Sequence, residues 1–182
     1  MSTFAEVMEE RRKKRDALLA FGMNPYTAVT NTTHTNAEVL AQFSTLETTN
    51  TSVTIAGRIM ALRLHGGMAF ADVFDGTKKL QLFFSKETLG EKLFDLFFNN
   101  IDTGDFIEAT GVPFVTKRET KAVGVTNWRI LTKSLQPIPT EHFGLKDEDL
   151  RFRKRYLDLF KMKKLVKFFS KRQNFGMLSA VL

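Results

Sequence analysis

The sequence predicts a mainly β protein: a small five-stranded barrel with a helix between strands 3 and 4, an N-terminal helical extension and a C-terminal helical segment. Three observations lead there. Between Ser52 and Ser134 five strand-like runs are divided by turn signals. One helical pattern interrupts them, after the third run. The composition, 43% hydrophobic with 18 Phe, is enough for a packed core. A helix between the third and fourth strands of five is the layout of the OB-fold, a Greek-key barrel whose strand 2–3 face binds oligonucleotides. The predicted divisions are a helical extension over 1–50, the barrel over 51–136, and a linker with a first helix of a further domain over 137–182.

Each element has its own signal. Ser2 to Phe21 reads as a helix, capped by Ser2 or Thr3, with Glu6, Glu9 and Glu10 early and Arg11–Arg15 later, an order that suits the helix dipole. Gly22 stops it and Asn24-Pro25 keeps it stopped. A Thr- and Asn-rich loop follows. Asn36 is expected to cap a short helix over Ala37–Leu46 with Val39, Leu40 and Phe43 on one side. The first strand, VTIAGRIMALRLHG, carries Gly57 as the bend that lets one strand serve both sides of a small barrel. Gly66-Gly67 turns into MAFADVF, and Asp75-Gly76 turns into KLQLFF. Thr88 to Asn100 reads as one helix, with Leu89, Leu93, Leu96 and Phe97 on the face that plugs the barrel end. FIEATGVPFV and AVGVTNWRIL are strands four and five, split by the polar loop Thr116–Lys121.

From Pro137 the chain turns polar and Pro-containing. A helix is expected in RFRKRYLDLF, capped by Asp149, and a basic amphipathic one over Leu165–Leu182. The net charge of +7 is concentrated here. Arg151–Leu182 holds ten Lys/Arg and one acid, for +9, whereas Met1–Leu150 is near neutral at −2. A barrel gripping any single strand mainly by charge would be more basic, so the balance favours selective contacts.

Several function classes find no support. There are no cysteines, hence no disulfides or thiolate metal sites, which fits a reducing compartment and a cytoplasmic protein. No apolar run has the length of a membrane span, and the N-terminus lacks an apolar signal core. His34, His65 and His142 are scattered without metal-ligand spacing, and no phosphate loop or nucleophile elbow occurs. The chain is therefore expected to be inactive as an enzyme on its own, with no cofactor.

A binding face is the stronger expectation. In Met68–Phe74 the residues Ala69, Ala71 and Val73 form one face, and Met68, Phe70 and Asp72 the other. If the small residues line the interior, Phe70 points outward and Gln81 shares its surface on the paired strand. An outward ring beside an amide suits an unpaired pyrimidine. The alternation equally allows Phe70 to be a core aromatic and Gln81 an ordinary surface residue.

These residues also resemble a family. G-R-I-M-A-L-R-L-H-G-G-M-A-F-A-D followed by K-L-Q-L-F-F is similar to the anticodon-binding barrel of class II lysyl-tRNA synthetases. L-T-K-S-L-Q-P-I-P, F-G-L-K-D and R-F-R-K-R-Y-L-D-L resemble that family's barrel exit and interdomain linker. The resemblance implies an enzyme that activates lysine with ATP and Mg²⁺ and transfers it to tRNA. In such enzymes an N-terminal barrel binds the uridine-rich anticodon, and a C-terminal domain carries catalysis and homodimerisation. By the same resemblance Phe70 is the stacking aromatic and Gln81 the uridine reader. Arg63 meets a base edge or phosphate, and Arg58 is a recurring arginine. The family's second and third catalytic motifs are absent, so this chain is expected to stop at the start of the catalytic domain. Two departures stand out. Gly66-Gly67 replaces a Gly-Lys turn, and Thr120 aligns with an anticodon-facing glutamate, with Glu119 one position early. The other reading is a free-standing OB protein that binds tRNA or single strands.

Overall fold

The computed structural model of the protein describes residues 3–136 and Arg153. The chain divides into two units, Met1–Pro137 and Ile138–Leu182. Apart from Arg153, the expected linker, the two C-terminal helices and the basic tail lie outside the described residues.

Five strands close into a barrel: β1 (Val53–His65), β2 (Met68–Phe74), β3 (Lys79–Ser85), β4 (Phe106–Val115) and β5 (Lys121–Thr132). Their order around the ring is β1-β2-β3-β5-β4. Every pairing is antiparallel except β3 with β5, which is parallel. As expected, β1 serves two partners: Val53–Arg58 pair with β4 and Arg58–His65 with β2. The handover occurs at Arg58, which pairs with both, and it is made possible by the preceding Gly57. A Cβ there would lie 2.6 Å from Val73 Cγ1 and 2.8 Å from the Phe74 carbonyl oxygen, so only glycine lets the strands approach.

The interior is filled unequally. β2 contributes small residues, Ala69, Ala71 and Val73, while β3 contributes Leu80, Leu82 and Phe84. The Phe84 ring stacks on Phe97 at 3.9 Å, and Trp128 meets Phe97 edge-on at 5.2 Å. The Trp128 indole donates to the Leu93 carbonyl at 3.2 Å.

The helical segment after β3 differs from the single helix expected. It is two helices, α4 (Lys86–Leu89) and α5 (Glu91–Asn100); three further helices precede β1. Gly90, at φ +77°, separates α4 from α5. Only glycine takes that backbone readily, and the break turns the apolar face. Leu89, Phe94, Phe97 and Ile101 are buried, while Leu93 and Leu96 are only partly so.

Before the barrel, α1 spans Phe4–Ala20. Thr3 caps it in a capping box with Glu6. Its C-terminus is a Schellman turn: Met23 N donates to Leu18 O and Gly22 N to Leu19 O, with Gly22 at φ +93°. The next expected helix is instead two, α2 (Asn36–Ala41) and α3 (Phe43–Thr48). Thr35, not Asn36, is the cap. Asn36 is buried, and its amide donates to the carbonyls of Val73 and Lys78 across the β2–β3 turn. Val39, Phe43 and Leu46 bury the inward side of this pair, and Glu47 of α3 accepts from Val115 N of β4.

One buried cluster ties these parts together. The Lys133 ammonium, fully buried, donates to Asp105 at 2.7 Å, Asp102 at 2.6 Å and the Asn100 carbonyl at 2.7 Å. Lys14 of α1 donates to the other Asp102 oxygen at 2.7 Å. Arg11, also buried, donates to the carbonyls of Ser134 and Thr103. So two members of the basic run Arg11–Arg15 hold α1 to the barrel. Arg12 and Arg15 pair with Glu9 and Asp16.

Removing the cation should cost most. Lys133→Ala would leave Asp105 buried without its counter-charge, and unfolding in denaturant should show a loss of about 3–5 kcal/mol.

The acid response follows from the carboxylates. Burial raises the Asp102 carboxyl, but the charges of Lys133 and Lys14 outweigh it and hold it below its ordinary value. Asp75 and Glu108 are also held low: burial opposes, while hydrogen bonds from Thr77 and Asn36, and from Arg129 and Asn31, prevail. Asp105 is pushed up by burial. A depressed carboxylate gives stability that is full above its unfolded value, about 3.9–4.3, and lost as pH falls through the folded one. Asp105 has the opposite sign, one group against these three and the exposed Glu38 and Glu91, which are also held low. Thermal unfolding should therefore show melting temperature falling below about pH 4.

Candidate nucleic-acid interface

The site is built by alternation. Because Ala69, Ala71 and Val73 point inward, Met68, Phe70 and Asp72 point outward from β2. On β3 the inward set Leu80, Leu82 and Phe84 sends Gln81 and Phe83 outward. The register sets Phe70 directly opposite Phe83, Asp72 opposite Gln81, and Arg63 of β1 opposite Phe70. Three strands thus bring Arg63, Phe70 and Gln81 to one surface.

Two kinds of contact organise this surface. The first is aromatic. Phe70 and Phe83 lie 5.0 Å apart at 42°, and Phe83 and Phe114 lie 5.7 Å apart at 59°. Phe114 of β4 reaches Phe83 because Gly124 is the β5 residue opposite Phe83. A Cβ at Gly124 would already touch the Phe114 ring at 3.5 Å, so a large side chain there would occupy the ring's place.

The second is polar. A single oxygen of Asp72, Oδ1, accepts from Gln81 Nε2 at 3.4 Å and from Arg63 Nη2 at 3.2 Å. The Arg63 side chain remains 58% exposed and that of Asp72 only 27%. A carboxylate, an amide and a guanidinium therefore form a chain beside a half-exposed ring.

The other two expected residues lie elsewhere. Arg58 pairs with Phe74 at the far end of β2 and with Phe106 of β4. Its guanidinium sits 4.5 Å over the Phe106 ring, and burial lowers its pKa. Four strand residues, about 13 Å, separate Phe74 from Phe70. Glu119 sits at the tip of the β4–β5 hairpin, exposed, at φ +57°. Thr116 N donates to Thr120 O and Glu119 N to Thr116 O, closing a three-residue loop with Glu119 in the left-handed place usual for glycine. The loop lies beyond Lys121–Ala122, and Ala122 pairs with Gln81.

Comparison with known proteins bears on this geometry. Residues 53–131 match the tRNA anticodon family, an OB-fold nucleic acid binding domain. Over that span the barrel is similar to the OB-fold nucleic-acid-binding domains of that family. Most of the chain is similar to lysine–tRNA ligases. It is 38% identical to that of Clostridium tetani (strain Massachusetts / E88) over 157 residues, 86% of this chain and 31% of the ligase. With the ligase of Roseiflexus castenholzii it shares 42% over 155 residues, 85% of this chain and 32% of the ligase. With that of Clostridium botulinum (strain Hall / ATCC 3502 / NCTC 13319 / Type A) it shares 38% over 155 residues, 85% and 30%. The chain thus spans about a third of the length of the curated relatives it matches. Within the anticodon-type barrel, the matched span covers every strand but the last residue of β5.

The reading from sequence left Asp72, Phe83 and Phe114 out of the site. Asp72 and Phe83 had a signal: each lies two residues from Phe70 or Gln81 on the same strand face. Phe114 had none, because its place depends on closure between β3 and β5.

The hairpin yields a direct test. A non-glycine residue pays a steric penalty in the left-handed region that glycine avoids. Glu119→Gly should therefore raise stability by roughly 0.5–1 kcal/mol in chemical denaturation, the relief of strain exceeding the entropy lost.

Proposed function

We propose that the β2–β3 face reads the anticodon loop of a lysine-accepting tRNA with a uridine-rich anticodon. One observation carries it: a half-exposed Phe70 ring, backed by Phe83, stands beside the Gln81–Asp72–Arg63 chain. An unpaired base can stack on the ring while its edge meets the amide. Arg63 keeps exposed donors for a base edge or a phosphate. Glu119 and Thr120, on the hairpin near Gln81, are candidate flanking contacts, and Arg58 supports the strand junction. The near-neutral charge of residues 1–150 suits selective reading over a nonspecific grip.

In this reading the chain is the anticodon-binding region of a cytoplasmic ligase that joins lysine to tRNA, with 1–50 as an extension and 51–136 as the binding domain. ATP, Mg²⁺ and homodimerisation belong to other parts of that enzyme. Among the described residues no three or more His, Asp or Glu gather in one place.

Titration of a fluorescent anticodon stem-loop at fixed salt tests the proposal. A UUU loop should bind more tightly than one with its central U replaced. Phe70→Ala should weaken binding by about 1–3 kcal/mol, the worth of one base–aromatic stack. Its melting temperature should change little, because the ring packs outside the core. Equal affinity for both loops would sink the proposal.

A further inference from the structure

We infer that Asp72 is a specificity-determining residue, locking the Gln81 amide in one sense so that the face accepts uracil and rejects cytosine. The inference rests on the anticodon reading above and deepens it. An ionised carboxylate only accepts hydrogen bonds. The half of the Gln81 amide that faces Asp72 Oδ1 at 3.4 Å must therefore be its NH₂ group. Turning the amide over would set Oε1 against the carboxylate, oxygen on oxygen. With the NH₂ pinned, Oε1 points away from Asp72, and the order of donor and acceptor along the amide is fixed.

That order matters because the two pyrimidines differ in it. Uracil presents an acceptor at O4 and a donor at N3–H. Cytosine presents a donor at its 4-amino group and an acceptor at N3. An unrestrained glutamine can pair with either by rotating its amide half a turn. For a base seated one way on the Phe70 ring, a pinned one pairs with only one, uracil in the anticodon reading, and the other meets donor on donor and acceptor on acceptor. Such rejection by a repulsive alternative is a general route to specificity. Arg63 completes the lock. Its Nη2 donates to the same oxygen at 3.2 Å, which fixes the carboxylate from the β1 side and offsets its charge where a polyanion would approach. The three residues come from three adjacent strands, and Asp72 and Gln81 are directly paired, so the arrangement is held by backbone register.

Asp72→Asn tests this, because asparagine has the same shape but can turn either half of its amide to Gln81. The probes are the UUU stem-loop and three loops with one U replaced by C in turn. The wild-type protein should prefer U by about tenfold or more at one position. In the variant that preference should collapse, mainly through tighter binding of the C-containing loop, with the melting temperature held. Damage to the fold cannot produce that gain. Equal weakening for all four loops would make Asp72 merely structural and overturn the inference. A wild-type protein without preference would overturn the anticodon reading, and this inference with it. Nuclear magnetic resonance of the RNA-free protein separates the two. The Gln81 side-chain amide signals should move in Asp72→Asn; signals that stay in place would overturn the lock even where the wild type discriminates.

Discussion

Room inside the barrel is the constraint on which the rest depends. Five strands enclose a narrow interior, and Phe84, Phe97 and Trp128 are among its bulkiest occupants, the first two stacked at 3.9 Å. A second layer of large side chains from β2 would not fit at native packing density. Ala69 and Ala71 therefore face inward, and alternation then sends Phe70 and Asp72 outward. The exposed ring is thus a consequence of how the core is filled. A one-residue slip of β2 would bury Phe70 and Asp72 together, with an overpacked core and an unpaired charge.

Rigidity comes from the seams. Gly57 lets β1 turn from β4 to β2, and past the register shift between Ile59 and Ala61 the β2–β3 face has a regularly paired neighbour on the Arg63 side. On the other side β3 joins β5 by a short parallel pairing of Gln81, Leu82 and Phe83 with Ala122, Val123 and Gly124. Gln81 and Phe83 are themselves part of this closure. Their backbone is held on both edges, and their side chains are presented from a fixed base. The Lys133 cluster does similar work at the barrel exit, joining α1, the turn before β4 and the end of β5 through Asp102, Asp105, Lys14 and Arg11.

Much of this was legible in the residues. The five strands and the Gly57 bend follow from local pattern, and strand boundaries fell within a residue or so. The inward and outward sets of β2 and β3 follow from period-2 alternation with small residues on one side. The misses share a cause. Gly90 and Gln42 break helices that periodicity alone runs together, because a helical wheel is blind to a single residue off helical geometry, at φ +77° in Gly90 and at φ −101°, ψ 14° in Gln42. Asn36 looked like a cap, yet its side chain is used by the distant β2–β3 turn. Arg11 and Lys14 read only as charges whose order suits the helix dipole, yet each has a partner some ninety residues or more away. The polar chain from Arg63 through Asp72 to Gln81 needs the register of three strands, which no single segment encodes.

A carboxylate at the centre of a face that meets RNA is costly to affinity. It repels phosphates, and a neutral residue would bind more tightly at any sequence. Its place beside Gln81 is accounted for if discrimination outweighs tightness, since specificity is a difference between affinities. The two features that look least like nucleic-acid binding, near-neutral charge over residues 1–150 and an acid beside the outward Phe70 ring, then support the same proposal. A face that relied on charge would hold many loops equally. One that relies on a stacked base and a pinned amide gives up general attraction and keeps the ability to reject a single wrong base.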